Sequence, residues 1–265
     1  MVTCKAAAFA FSPLNALPKI ALGKWTTVKM AGALALVSAD GVHRVMPTGN
    51  LDQYYAAILD LLAAKKTLSL VPEWVANALR PHQTVKKQHD EYVMATPAVM
   101  ALPGGRNAAL RGNVNKARRL CVIETYDPAN AVEYLALNAK WYKQNAEIKF
   151  QPYDKTSIDW MLKNWTLLKD AVPDLVCLGV RHAASLQLIS FNLGCVLSSG
   201  AWTAYTQRFD RDAPVKAGNM LGYTELARVF ESLPEENDGT ADTRTIREWK
   251  DRLVASKVSY FLVSP

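Results

Sequence analysis

The sequence lacks most of the signatures that announce common catalytic machinery. It has only four cysteines, Cys4, Cys121, Cys177 and Cys195. None forms a CxxC pair or clusters with histidine at zinc-ligand spacing, so no metal site is expected. Three of the thiols sit in apolar runs, and they read as reduced and buried, as in a cytoplasmic protein. The four histidines (His43, His82, His89 and His182) belong to no motif. There is no GxSxG elbow, HExxH pair, Walker loop or kinase signature. These absences weigh against the common hydrolases and phosphoryl transferases and leave enzymes that work by positioning and electrostatics.

Long hydrophobic runs are missing as well. Met30 to Val37 falls far short of the ~20 apolar residues of a membrane helix. The N-terminal run Ala6 to Phe11 is broken by Ser12, Pro13 and Asn15, and no cleavage site follows. The chain therefore reads as soluble and cytoplasmic, with no integral membrane segment. Internal repeats and low-complexity tracts are also absent, which excludes solenoids and propellers.

Acidic residues are outnumbered, 24 against 31 lysines and arginines, for a net charge of +7. An excess of that size favours polyanions: nucleic acid such as tRNA or DNA, acidic lipid headgroups touched peripherally, or a phosphate-bearing co-substrate. Half of the residues are apolar, enough for a substantial core.

Periodicity and turn residues predict the elements. Lys24 to Val45 read as short strands with a hairpin at Asp40-Gly41, and Asn50 to Ala64 as a helix. Leu68 to Pro72 is a strand and Glu73 to Leu79 a short helix. Arg80 to Asp90 is polar and reads as a connection, with a strand at Glu91 to Met94. After the turn at Pro103-Gly104-Gly105 come a helix to Leu120, a strand at Cys121 to Tyr126, and helices at Pro128 to Gln144 and Ser157 to Leu168. Three antiparallel strands follow, Leu175 to Arg181, Ser185 to Leu193 and Trp202 to Phe209. A helix at Gly218 to Glu231, a loop at Pro234 to Asp242, a helix at Thr243 to Lys250 and a strand at Val258 to Val263 complete the chain. This order indicates an α+β fold rather than a doubly wound sheet.

Three segments could carry chemistry. Arg106 to Arg119 holds Arg106, Arg111, Lys116, Arg118 and Arg119 and no acid; on a helix, Arg111, Asn115 and Arg118 share a face that could clamp phosphates or simply be solvated. Trp141, Tyr142, Trp160 and Trp165 are interleaved with lysines, but Ile158, Met161, Leu162, Trp165 and Leu168 have the spacing of a core stripe. Arg208 to Leu226 leads from a strand through a glycine-bearing turn into a helix. The free N–H groups at that helix start, with Lys216 nearby, could receive a phosphate or carboxylate.

Three stretches, in order, resemble the phosphatidylglycerol lysyltransferase C-terminal family, a GNAT-like group of acyl and aminoacyl transferases. They are Leu102 to Lys116, Asp210 to Leu226, and Asn237-Asp238-Gly239 followed by Ile246 to Lys250 and Lys257 to Tyr260. The resemblance implies a tandem GNAT-like fold with a mixed, mostly antiparallel central sheet flanked by helices. Residues 1–90 would be the degenerate half and 91–265 the catalytic half. It implies transfer of an aminoacyl or acyl group to an amine or hydroxyl acceptor, from aminoacyl-tRNA or acyl-CoA as co-substrate and with no tightly bound cofactor.

By position, Asp210, Asp238 and Lys250 would be catalytic, with Asp210 or Asp238 taking the acceptor's proton if its environment raises its pKa. Arg111, Asn115, Lys116, Lys216, Gly218, Asn219 and Tyr223 would hold the donor and its phosphates, and Lys250 is a second candidate for that role. Asn237 and Trp249 would meet the acceptor. Two departures matter. The chain has no flippase portion, which points away from lipid as acceptor. The turn before Gly218 also lacks the Q/R-x-x-G-x-G/A loop of ordinary acetyltransferases, which points away from CoA. Two alternatives stay open: modification of bases in DNA or RNA, and a non-catalytic polyanion-binding protein of the same fold.

Overall fold

Asp40-Gly41 turns the chain as its sequence dictates. Gly41 takes φ 78°, a conformation that costs glycine nothing, and joins β2 (Ala33–Ser38) to β3 (His43–Val45). The computed structural model describes residues 13–30, 33–46, 50–145, 152–197, 199–239 and 244–265. Cys4, the apolar run up to Ser12, and residues 31–32 within the stretch from Met30 to Val37 lie outside them.

Before the hairpin come α1 (Pro13–Ala21) and β1 (Trp25–Met30), which pairs with β2. The sequence reading missed α1. Asn50 caps α2 (Leu51–Ala63), its Oδ1 accepting from the backbone N–H groups of Asp52 and Gln53 at 3.0 and 3.2 Å. β4 (Leu68–Pro72) and α3 (Glu73–Leu79) follow as expected.

The polar connection expected at Arg80 to Asp90 is corrected. Thr84 onward belongs to a twelve-residue strand, β5 (Thr84–Ala95). Its polar half is held by main-chain pairing to β11 (Val254–Ser264), from Ser264↔Thr84 to Ser259↔Asp90. Backbone ladders need no apolar side chains when the face is open to solvent.

α4 (Thr96–Ala101), missed in the sequence, precedes a 3₁₀ turn at Gly105–Asn107 and α5 (Ala108–Leu120). Then come β6 (Cys121–Thr125), α6 (Ala131–Gln144), α7 (Pro152–Lys163) and α8 (Trp165–Ala171). The single helix expected at Ser157 to Leu168 is thus two, parted at Asn164, whose Nδ2 donates to the Trp160 carbonyl. The meander forms as β7 (Val176–His182), β8 (Leu188–Val196) and β9 (Trp202–Phe209). α9 (Gly218–Val229), a short strand β10 (Glu235–Asn237) inside the expected loop, and α10 (Arg244–Lys250) lead to β11.

The eleven strands of the described residues join one sheet, in the order β1-β2-β3-β4-β11-β5-β10-β9-β8-β7-β6. Pairing is antiparallel except at β3–β4 and β10–β9. Helices cover both faces of the β7–β9 region. On one side Leu178, Val180 and Ile189 pack with Val114 of α5 and with Leu221 and Leu226 of α9. On the other, Cys177, Phe191 and Leu193 pack with Tyr134 of α6 and with Ile158, Met161 and Trp165 of α7 and α8, so the aromatic stripe there is core. The three described cysteines are free thiols, and burial pushes Cys195 up to about 12.

Close packing sets the seat of α9. A Cβ on Gly194 would lie 2.5 Å from the Thr203 carbonyl oxygen and 2.9 Å from Leu226 Cδ2. Backbone cannot retreat as a side-chain tip can. Gly194→Ala should therefore destabilise the protein by about 1–3 kcal/mol, the usual cost of overpacking, in urea unfolding. An unchanged midpoint would show that α9 is free to shift.

Candidate functional site

β9, α9 and β10 form a parallel crossover in which the two strands meet at one residue pair, Glu236↔Trp202. One edge of β9 is bonded to β8 along its length, while the edge toward β10 has this single partner. Among the described residues the two strands pair nowhere else, so beyond this junction the main-chain groups on that side of β9 have no strand partner, a seam between the strands. The N–H of Ala204, two residues past the junction, is turned to the Glu236 carboxylate instead.

At the closed end of the seam lies a buried polar cluster. β10 and the residues after it supply Glu236, Asn237 and Asp238; α9 supplies Tyr223; α10 supplies Trp249 and Lys250; β5 supplies Glu91 and Tyr92. Lys250 Nζ lies 3.1 Å from Asp238 Oδ2 and donates to the Asp238 carbonyl at 2.5 Å. The Lys250 ammonium also sits 5.5 Å from the centre of the Tyr92 ring. The Tyr223 hydroxyl donates to Glu236 Oε2 at 2.5 Å, and the Trp249 ring meets Tyr223 edge-on at 5.5 Å. Asn237 Nδ2 donates to Glu91 Oε2 at 2.7 Å, while its Oδ1 accepts from the Gly239 N–H.

Burial dominates the electrostatics here. Desolvation and the nearby Asp238 charge push Glu236 well above the carboxylate range, against the Tyr223 hydrogen bond and Lys250. Desolvation also raises Asp238, although Lys250 opposes it. The Tyr223 phenol is pushed well up by the same burial and by both carboxylates. Glu236 Oε1 and Trp249 Nε1 are buried and make no hydrogen bond among the described residues.

The other end of β9 holds a second group. Trp202 and Asp210 are eight residues apart, roughly 25 Å along the strand. A pocket of about 140 Å³ is lined there by Asp210, Arg211, Lys216, Ala217, Gly218 and Asn219, among others. Asp210 is buried, but Lys140 Nζ meets its Oδ2 at 2.7 Å and Gln144 Nε2 its Oδ1 at 2.9 Å. Desolvation pushes its pKa up; these bonds more than offset that and hold it below the usual range. α9 starts at the left-handed residue Ala217, φ 63°, with no side chain capping its first N–H groups. Beneath Gly218 lies Ser190 Oγ, fully buried and without a hydrogen bond among the described residues.

The third group, on α5, is spent partly on the fold. Arg111 Nη1 donates to the Leu102 carbonyl at 2.6 Å, satisfying the end of α4. Arg118 bonds Asn115 at 2.9 Å and Glu225 of α9 at 2.9 Å. Lys116 and Arg119 are exposed. Gly112, in the middle of the helix, would have nothing within 4 Å of a Cβ and does not have a positive φ. Such a glycine costs about 1 kcal/mol relative to alanine, and Asn113 and Asn115 add several tenths each.

The structure thus gathers Tyr223, Asn237, Asp238, Trp249 and Lys250 in one cluster and Asp210, Lys216, Gly218 and Asn219 in another. Arg111, Asn115 and Lys116 stand apart on α5. Glu236, Glu91 and Tyr92 escaped the sequence reading: a buried acid has no local pattern, and Glu235-Glu236 looks like any solvated loop.

No family profile matches the chain, and no curated protein matches it in sequence. Solved structures do. A conserved protein of unknown function from Bacteroides thetaiotaomicron superposes with a TM-score of 0.82 at 14% identity, covering 100% of this chain and 93% of that one. L-PGS from Bacillus licheniformis gives 0.68 at 13%, covering 92% and 84%. The C-terminal domain (DUF2156) of a protein from Agrobacterium fabrum assigned as a lysylphosphatidylglycerol synthetase gives 0.68 at 13%, covering 93% and 86%. The chain has the GNAT-like fold of the lysylphosphatidylglycerol synthetase C-terminal domain. Among the described residues of this GNAT-like chain, no helix is long and apolar enough to cross a membrane, and no His, Cys, Asp or Glu side chains group to hold a metal ion.

Proposed function

We propose that the protein moves an aminoacyl or acyl group onto an amine or hydroxyl acceptor along the seam between β9 and β10. The observation that carries this is the single Glu236↔Trp202 pair, which leaves an edge of β9 open with uncapped helix N–H groups at one end and titratable side chains at the other.

In this reading Lys216 and the first N–H groups of α9 receive the donor's phosphate, since a helix N-terminus favours anions. The nucleophile attacks the acyl carbon, a C–N or C–O bond forms, and the donor's ester C–O or thioester C–S bond breaks. The nucleophile's proton goes to Asp238, and the leaving oxygen or sulfur is protonated in turn. Asp238 suits the base better than Asp210, because burial raises its affinity for protons, whereas Lys140 and Gln144 lower that of Asp210. Lys250 keeps Asp238 oriented. All of these residues lie in 91–265, and the division near residue 90 into a degenerate and a catalytic half is part of the proposal.

The test is to incubate the protein with a mixed pool of labelled aminoacyl-tRNAs, then with acetyl-CoA, and a panel of amine and hydroxyl acceptors. Asp238→Asn should slow transfer about 10²–10⁴-fold, the usual worth of a general base, with the fold intact by circular dichroism. No transfer from either donor, with tight binding of both retained, would make the protein a binding module instead.

A further inference from the structure

β6 closes one end of the sheet, and among the described residues its only strand partner is β7. Two bonds fix which of its groups face that neighbour. The Leu120 carbonyl accepts from the Ala183 N–H at 2.9 Å, and the Tyr126 N–H donates to the Cys177 carbonyl at 2.8 Å. Bonding residues alternate in an antiparallel ladder, so the even positions face β7 while Cys121, Ile123 and Thr125 turn their N–H and C=O groups outward. Natural edges of this kind are blunted by lysine, proline or a bulge. β1, at the other end of the sheet, carries Lys29. β6 reads Cys121-Val-Ile-Glu-Thr125 and pairs with β7 without a register shift. Its one charge, Glu124, is bound to Arg181 and Tyr134, and Val122 beside it is 52% exposed.

We infer that this edge pairs with β6 of a second copy of the chain, antiparallel about Ile123, to give a twofold dimer with one continuous sheet. Self-complementarity identifies the occupant. In this register Ile123 exchanges both main-chain hydrogen bonds with its own copy, and Cys121 exchanges them with the partner's Thr125, so every outward group of β6 is satisfied. Val122 comes diagonally beside its own copy, which covers apolar surface now in water. The same register sets Arg119 against the partner's Asp127, and the symmetry makes that ion pair twice. Both are exposed; Arg119 has no hydrogen bond or ion pair among the described residues, and Asp127 spends one oxygen on the Ala129 N–H. An unrelated extended segment could satisfy the main chain, but nothing would bring it with an acid at one end and a base at the other. A twofold axis normal to the sheet keeps both copies of α5 on one face. The flank of α5 turned away from Arg118, which reaches Glu225 of α9, carries the small exposed residues Ala109 and Asn113, so the two helices have room. The inference does not depend on the transferase reading, because β7 and β8 stand between β6 and the strands of the seam.

The experiment is analytical ultracentrifugation of the full chain over a concentration series. The mass should rise from the 29.3 kDa of one chain to twice that value. A monomer at about 100 μM, where a micromolar interface is saturated, overturns the proposal. Thr125→Pro removes one outward N–H and sets a ring on the edge, while the bonds to β7, made by the even positions, are untouched. It should raise the dissociation constant at least about tenfold, each bond being lost twice by symmetry. A dimer indifferent to Thr125→Pro overturns pairing through β6, and Val28→Lys on β1 should leave the dimer as it is. Arg119→Glu, a surface change that leaves folding intact, decides the matter should Thr125→Pro not fold. It should weaken the dimer about tenfold by setting like charges together at both ends, and adding Asp127→Lys should restore it to within about threefold. A charge swap that restores nothing overturns the register about Ile123.

Discussion

Lys250→Met is expected to cost the protein about 3–5 kcal/mol of stability, the penalty of leaving a buried carboxylate without its cation. Lys250 and Asp238 are both nearly inaccessible, their side chains 5% and 7% exposed, so water cannot take the lysine's place. The methylene stem is kept in methionine, which leaves the ammonium as the main loss. Adding Asp238→Asn to Lys250→Met should restore most of the stability, because the stranded charge is gone, while transfer stays slow for want of the base. Urea unfolding of the three variants measures the cycle. A double variant no more stable than the single one would mean that Lys250 acts through packing on Tyr92 rather than through the Asp238 charge.

The second large effect concerns pH. Burial and the Asp238 charge raise Glu236, and burial raises Asp238, above their unfolded values. A carboxyl raised on folding holds its proton longer in the folded chain. Between the two pKa values the folded state binds more protons than the unfolded one, so stability falls as pH rises. The contribution is complete below the unfolded value of about 4 and is lost as pH climbs through the raised folded values. Asp210 runs the other way: its lowered pKa contributes stability above about 4 that is lost in acid.

Glu236→Gln should therefore flatten the decline on the alkaline side and raise neutral-pH stability by about 1–3 kcal/mol, the scale of a buried polar penalty. It should change nothing below pH 4. Denaturant midpoints across pH supply the comparison. A parallel decline in wild type and variant would show that Glu236 carries no uncompensated charge.

The legible parts of the fold were those whose cause is local. Asn50, with two N–H groups to cap, and Gly41, with its positive φ, can be read from neighbours in sequence. The first half of β5 could not, because Thr84 to Asp90 are held by strand partners from the far end of the chain. β10 is three residues long, two of them acidic, and exists because it pairs with β5 and β9. The helix at Trp165 was merged with its predecessor because the core stripe continues across Asn164.

The candidate site follows the same rule. Motif order brought Asp238, Lys250 and Tyr223 to notice, but Glu236 and Glu91 meet them only through tertiary structure. Sequence also could not show that Arg111 and Arg118 are bound within the fold while Lys116 and Arg119 remain available.

The place of β11 between β4 and β5 bears on how the chain is made. Phe261 pairs with both Val71 and Lys87, so two early strands acquire their shared neighbour only after more than half of the chain has followed them. During synthesis β4 and β5 must wait with open edges, a state that invites association with other nascent chains. Pairing across such distances is slow, which puts the burden of productive folding on the arrival of β11.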